Sequence, residues 1–103
     1  MVTKFELNGK EIKAKEFDYN LMCDMEEMGF NIDEFGNKPM NSLRGYIALC
    51  KNCSLEKAGQ EINAHVVNGG SLEDILDVMM NKLTNADFFR GQQTDEEEKV
   101  TKG

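Results

Sequence analysis

The dipeptide Asn8-Gly9 sits in the middle of VTKFELNGKEIKAK, residues 2–15, and apolar and charged residues alternate on either side of it. This is the strongest short-range signal for a β-hairpin. A two-residue type I′ turn needs positive φ at both central positions, which Asn and Gly tolerate best. With that loop, Phe5 falls opposite Ile12 and Thr3 opposite Ala14, and Leu7 shares their face. Lys4, Glu6, Glu11 and Lys13 make up the other face. The same register sets Glu6 across from Glu11 and Lys4 across from Lys13, unfavourable pairs that diagonal contacts can soften. A lone hairpin is marginal in water, so it must lie on helices or find further strands. Its open edges could also pair with the hairpin edge of a second copy, a route to self-association.

The remainder of the chain is punctuated into short helices. Asp18 is an N-cap for YNLMCDMEEM, where Phe17, Leu21, Met25 and Met28 form a stripe with Met22 at its edge, and Gly29 ends the segment. NIDEFGNKPM is a connector with room for one helical turn at Ile32–Phe35, and Pro39 forbids a helix running through it. Asn41 or Ser42 starts the next helix, with Leu43, Tyr46, Ile47 and Cys50 on one side. Ser54 caps a helix with the stripe Leu55, Ala58, Ile62 and Val66. Ser71 caps the last, whose stripe is Leu72, Ile75, Leu76, Met79 and Leu83, with Asp74 as a weak capping-box partner. Phe88-Phe89 closes the packed part. The sequence therefore predicts an α+β, mostly α, domain: an N-terminal β-hairpin followed by four main short helices over residues 1–90, then a disordered acidic tail over 91–103.

At 103 residues the chain allows one modest core. Its formal charge of −7 argues against nucleic acid and anionic membranes and favours basic or apolar partners. There is no apolar run near the roughly 20 residues of a membrane span and no signal-peptide pattern at the N-terminus, so a cytoplasmic location is expected. Three cysteines, an odd number, fit a reducing compartment.

Candidate chemistry is sparse. Asn68-Gly69-Gly70-Ser71 lies between two helices and is followed by Glu73 and Asp74, which would repel phosphate; it reads as stop, turn and start rather than an anion cradle. His65 falls at the edge of its apolar stripe with no nucleophile or acid at a telling spacing, as expected of a half-buried, hydrogen-bonded histidine. Cys50-Lys51-Asn52-Cys53 has redox or zinc spacing, but it lies at a helix C-terminus, where the dipole opposes thiolate. A Cys₃His zinc site would also need Cys23 and His65, and Cys23 is expected on the side of its helix away from the core while Cys50 points inward. The acidic pairs Glu26-Glu27, Asp33-Glu34 and Glu73-Asp74 and the run Glu96–Glu98 read as solvated charge, and no EF-hand spacing is present. No enzymatic activity, metal or cofactor is expected. The chain's 7 methionines are a more useful feature, because several sit on or beside helix stripes. They can fill gaps in a core, or form a pliable groove for an amphipathic helix.

One order of features stands out: the hairpin turning on Asn8-Gly9, then Phe17-Asp18-Tyr19-Asn20-Leu21, Glu26-Glu27 and Gly29. Leu43-Arg44 before an apolar helix, Ala58-Gly59, Ile62, the Asn68-Gly69-Gly70 joint and a final helix running into Phe88-Phe89 complete it. Over about residues 3–90 this resembles the tail assembly chaperones of long-tailed bacteriophages and prophages, in the version common in phages of Gram-positive bacteria. The resemblance implies a non-enzymatic protein of the host bacterial cytoplasm, absent from the finished virion. It would bind the tape measure protein and keep it soluble while the tail tube forms. It also implies a frameshifted longer form, through which the tail tube protein could be engaged. Leu21, Met22, Met25, Met28, Met79, Met80, Phe88 and Phe89 are the candidate partner-binding residues. The C-x-x-C and Asp87 depart from the family pattern. The alternative is a small acidic adaptor or inhibitor that covers a basic protein surface.

Overall fold

The computed structural model describes residues 4–31 and 33–87. Strand β1 (Lys4–Leu7) and strand β2 (Lys10–Lys13) form an antiparallel hairpin in the expected register, with Phe5 opposite Ile12 and Glu6 opposite Glu11. Asn8 and Gly9 both have positive φ, 55° and 82°, as a type I′ turn requires. The like-charge pairs are eased by a diagonal contact, Lys4 to Glu11 at 3.1 Å. The expected Thr3–Ala14 pair involves a residue outside the described ones.

Four main helices follow. Helix α1 (Tyr19–Glu27) is capped by Asp18, whose carboxylate accepts the Leu21 N–H at 2.8 Å. Gly29 lies beyond it at φ 95°. A single turn, α2 (Glu34–Asn37), sits two residues later than the sequence suggested, and Ile32 is outside the described residues. Helix α3 (Pro39–Lys51) begins earlier than Asn41 or Ser42, with Pro39 as its first residue. Proline does stop a helix from passing through it, but at the first position its missing N–H would have had no partner anyway. Helices α4 (Leu55–Val67) and α5 (Leu72–Thr84) start at Ser54 and Ser71, and each serine hydroxyl accepts an N–H three residues on, at 3.1 Å.

Helix α3 is the hub. It packs against α1, α2, α4, α5 and β2, and six of its residues, Ser42, Leu43, Gly45, Tyr46, Ile47 and Ala48, are buried. The hairpin lays Phe5 and Leu7 inward, with β1 against α4 and α5. Each fully buried large apolar side chain contributes about 1.5–3 kcal/mol, so Leu7, Phe17, Met25, Leu43, Ile47 and Met79 carry much of the stability. Phe17 stacks on Tyr46 at 4.9 Å between ring centres and meets Phe35 edge-on at 5.4 Å. A glycine inside α3 is explained by Phe30. A Cβ at Gly45 would lie 2.7 Å from the Phe30 ring, so only hydrogen leaves room for it.

The inward row of α4 differs from the expected stripe in one place. Val66 is exposed and His65 is buried in its stead. Adjacent positions on a helix are 100° apart, but 65 and 66 both lie within reach of a stripe centred on Ala58 and Ile62; packing against the hairpin selected His65.

Candidate functional site

The hairpin turn is anchored to α4 by polar contacts. The backbone N–H of Asn8 donates to Nδ1 of His65 at 2.8 Å. Nδ1 is therefore the unprotonated nitrogen, and a neutral ring carries its proton on Nε2. The same ring lies flat on the joint between α4 and α5: a Cβ built on Gly70 would stand 2.3 Å from Nε2. Nδ1 is taken up by the Asn8 N–H, and the ring also lines a cavity of about 210 Å³ together with Phe5, Glu6, Ser71, Asp74, Ile75 and Val78. The two glycines of the joint thus have different duties. Gly69 takes the left-handed turn at φ 95°, and Gly70 makes room for the imidazole.

Glu61, one turn before His65, extends this anchor. Its carboxylate lies 3.7 Å from Lys51 and 3.5 Å from Lys57. Desolvation pushes its pKa upward, but Lys51, a hydrogen bond from the Asn8 side chain and Lys57 outweigh that and hold it below the usual glutamate range. Asn8 therefore ties the turn to two residues of α4 through its backbone and its side chain.

A second set of contacts holds the strand exit. The Tyr46 hydroxyl donates to the Lys15 carbonyl at 2.6 Å. Burial, chiefly, pushes its pKa far above the ordinary tyrosine value, with Cys50 and Glu16 adding to the shift. Lys82, in the last turn of α5, is buried, and its ammonium donates to Glu16 at 2.5 Å. Sequence reasoning passed over Lys82, although its place three residues after Met79 and seven after Ile75 puts it on the inward row.

The cysteines form no reactive cluster. Cys50 belongs to the last turn of α3, and Cys53 follows Asn52, which closes that helix in the left-handed conformation at φ 56°. Burial raises the Cys50 thiol pKa, against opposing hydrogen bonds to Lys15 and Tyr46. All three cysteines are half-buried free thiols. Among the described residues, no three His, Cys, Asp or Glu side chains converge on a point that could hold a metal ion. A cleft of about 460 Å³ opens between the strand exit, α1 and the end of α3, beside Lys13, Glu16, Asp18, Asp24 and Cys50. Charges of both signs line it together with the Cys50 thiol. No helix among the described residues is long and apolar enough to cross a membrane.

The candidate partner-binding residues fall into three groups. Leu21, Met25 and Met79 are buried in the core, with at most 4 % of their surface exposed, and pack the interior of the domain. The innermost row of an amphipathic helix is the first to be covered by its own domain. Met22, Met28 and Met80 are half-buried at the core margin. Phe88 and Phe89 lie outside the described residues, as does the tail over 91–103. The structure adds a row the sequence did not separate from the core: Leu72, Leu76, Met80 and Leu83 form one partly exposed flank of α5 beside the buried Ile75 and Met79. Neither a family model, nor a curated protein, nor a solved structure matches this chain.

Proposed function

We propose that the protein is a non-enzymatic tail assembly chaperone that binds an amphipathic helix of a phage tape measure protein and keeps it soluble during tail-tube assembly. The observation that carries the reading is the partly exposed apolar flank of α5. Leu72, Leu76, Met80 and Leu83 recur at spacings of four, four and three, the row that a partner helix would cover. Met80, with its unbranched thioether, adapts to varied side chains along a long helical partner. The acidic excess of the chain would keep such a complex dispersed. The order of motifs from Asn8-Gly9 to the Asn68-Gly69-Gly70 joint supplies the family likeness.

The test is co-expression with the long helix-rich protein encoded just downstream, followed by co-purification at low and high salt. Capture that survives high salt, and is lost in Leu76→Asp/Met80→Asp while the variant keeps its helical circular dichroism, supports the proposal. A partner that stays insoluble with both the short and the frameshifted long form overturns it. A complex that dissociates as salt rises would instead favour the acidic adaptor, which binds through charge that ions screen.

A further inference from the structure

Among the described residues, the sheet has two strands, and β2 has β1 on one side only. An open groove of about 350 Å³ lies beside Lys4 of β1 and Glu11, Ile12 and Lys13 of β2. We propose that β2 is a self-association edge: it pairs antiparallel with β2 of a second copy about a two-fold axis at Ile12, making a four-stranded sheet.

Backbone geometry limits the registers, and charge selects among them. In a two-residue hairpin the pair next to the turn, Leu7 and Lys10, exchanges hydrogen bonds. Such pairs alternate along an antiparallel ladder, so Phe5 and Ile12 form the next one. The N–H and C=O groups of Glu11 and Lys13 therefore point to the open side. A second β2 must place its own outward groups opposite these. Three registers satisfy that condition. One sets Glu11 across from Glu11 of the other copy, and another sets Lys13 across from Lys13. The third sets Glu11 across from Lys13 and Lys13 across from Glu11, with Ile12 meeting Ile12 in the close, non-hydrogen-bonded position. Like charges directly opposite are destabilising and opposite charges stabilising, so the third register wins. It also covers the exposed part of Ile12, which is half-buried in one copy.

Charge over the whole molecule points to the same place. The chain carries −7, yet residues 4–15 hold four lysines against two glutamates. The hairpin is thus a segment where two otherwise acidic molecules can approach. With four residues per edge the interface is small, which predicts a weak dimer with a dissociation constant in about the micromolar range or above.

The experiment is sedimentation equilibrium of the full chain up to about millimolar concentration, with the charge variants Glu11→Lys and Lys13→Glu alone and mixed. Each single variant places like charges across both symmetric pairs, and each should weaken the dimer about tenfold or more. An equimolar mixture restores opposite charges at both positions and should recover association as a heterodimer. Lys13→Pro removes only an outward N–H, so it should give a monomer with an unchanged dichroism spectrum. A wild-type chain that is monomeric throughout overturns the proposal. So does a dimer that both single variants and Lys13→Pro leave intact, or single variants that dissociate but do not recover on mixing.

Discussion

Replacing Gly70 by alanine tests the anchor between the hairpin turn and α4. A Cβ there would stand 2.3, 2.4 and 2.6 Å from three atoms of the His65 ring, where ordinary contact begins at 3.4 Å. The ring must retreat by about 1 Å. Its 2.8 Å bond from the Asn8 N–H then stretches beyond the range of a hydrogen bond. An abandoned, partly buried donor costs about 1–3 kcal/mol and the local overpacking a similar amount, so Gly70→Ala should destabilise the domain by about 2–4 kcal/mol. For a domain of this size that lowers Tm by about 10 °C or more. Gly69→Ala is the internal control. It forces alanine to φ 95° but meets no atom within 4 Å, so it should cost only about 1–2 kcal/mol of backbone strain. Urea unfolding followed by circular dichroism gives both values. The decisive measurement is the double-mutant cycle with His65→Ala. Once the ring is gone, the alanine methyl meets empty space, and the Gly70→Ala penalty should largely vanish. A penalty that persists in the His65→Ala background would refute the reasoning, as would a Gly70→Ala cost no greater than that of Gly69→Ala.

Other perturbations probe the remaining polar contacts. The folded-state pKa of Glu61 is depressed, so its contribution is present above the ordinary glutamate value of 4.5 and lost as pH falls through the lower folded value; Glu61→Gln should flatten that part of the acid limb in a pH series of urea melts. The folded-state pKa of Tyr46 is raised, so its contribution is complete below the ordinary value of 10.0 and declines as pH rises above it; Tyr46→Phe should cost about 1–2 kcal/mol near neutrality and remove that alkaline decline. Lys82 is covered while Glu16 is two-thirds exposed, so Glu16→Ala should destabilise by about 1–2 kcal/mol and more than Lys82→Met, which leaves no buried charge behind; thermal melts of the two variants compare them directly. Ser42 is fully buried, and its hydroxyl has no partner among the described residues, so Ser42→Ala should stabilise by about 1 kcal/mol in the same melts.

The elements that the sequence determined by itself are those set by neighbours in the chain. Asn8-Gly9 dictates its turn because only such residues accept two consecutive positive φ values, and the turn then sets the register of both strands. Asp18, Ser54 and Ser71 mark helix starts because each side chain reaches an N–H three residues away. Helical periodicity placed Leu21, Met25, Leu43, Ile47, Ile75 and Met79 inward, and all six are buried. It could not say which rows its own domain would cover fully and which would stay partly open, so the core methionines and the α5 flank looked alike. Only the tertiary structure decided that His65 rather than Val66 turns inward, that Lys82 lies buried against Glu16, and that Gly70 is the seat of an imidazole. The first two of those outcomes join residues 57 and 66 positions apart, and the third follows from the first. Local sequence carries no record of such meetings, because an apolar stripe spans more than 100° of a helix and tolerates several residues at its margin. What settles the matter is the partner brought there by the fold: a turn N–H that needs an acceptor, or a carboxylate that can pair a covered ammonium.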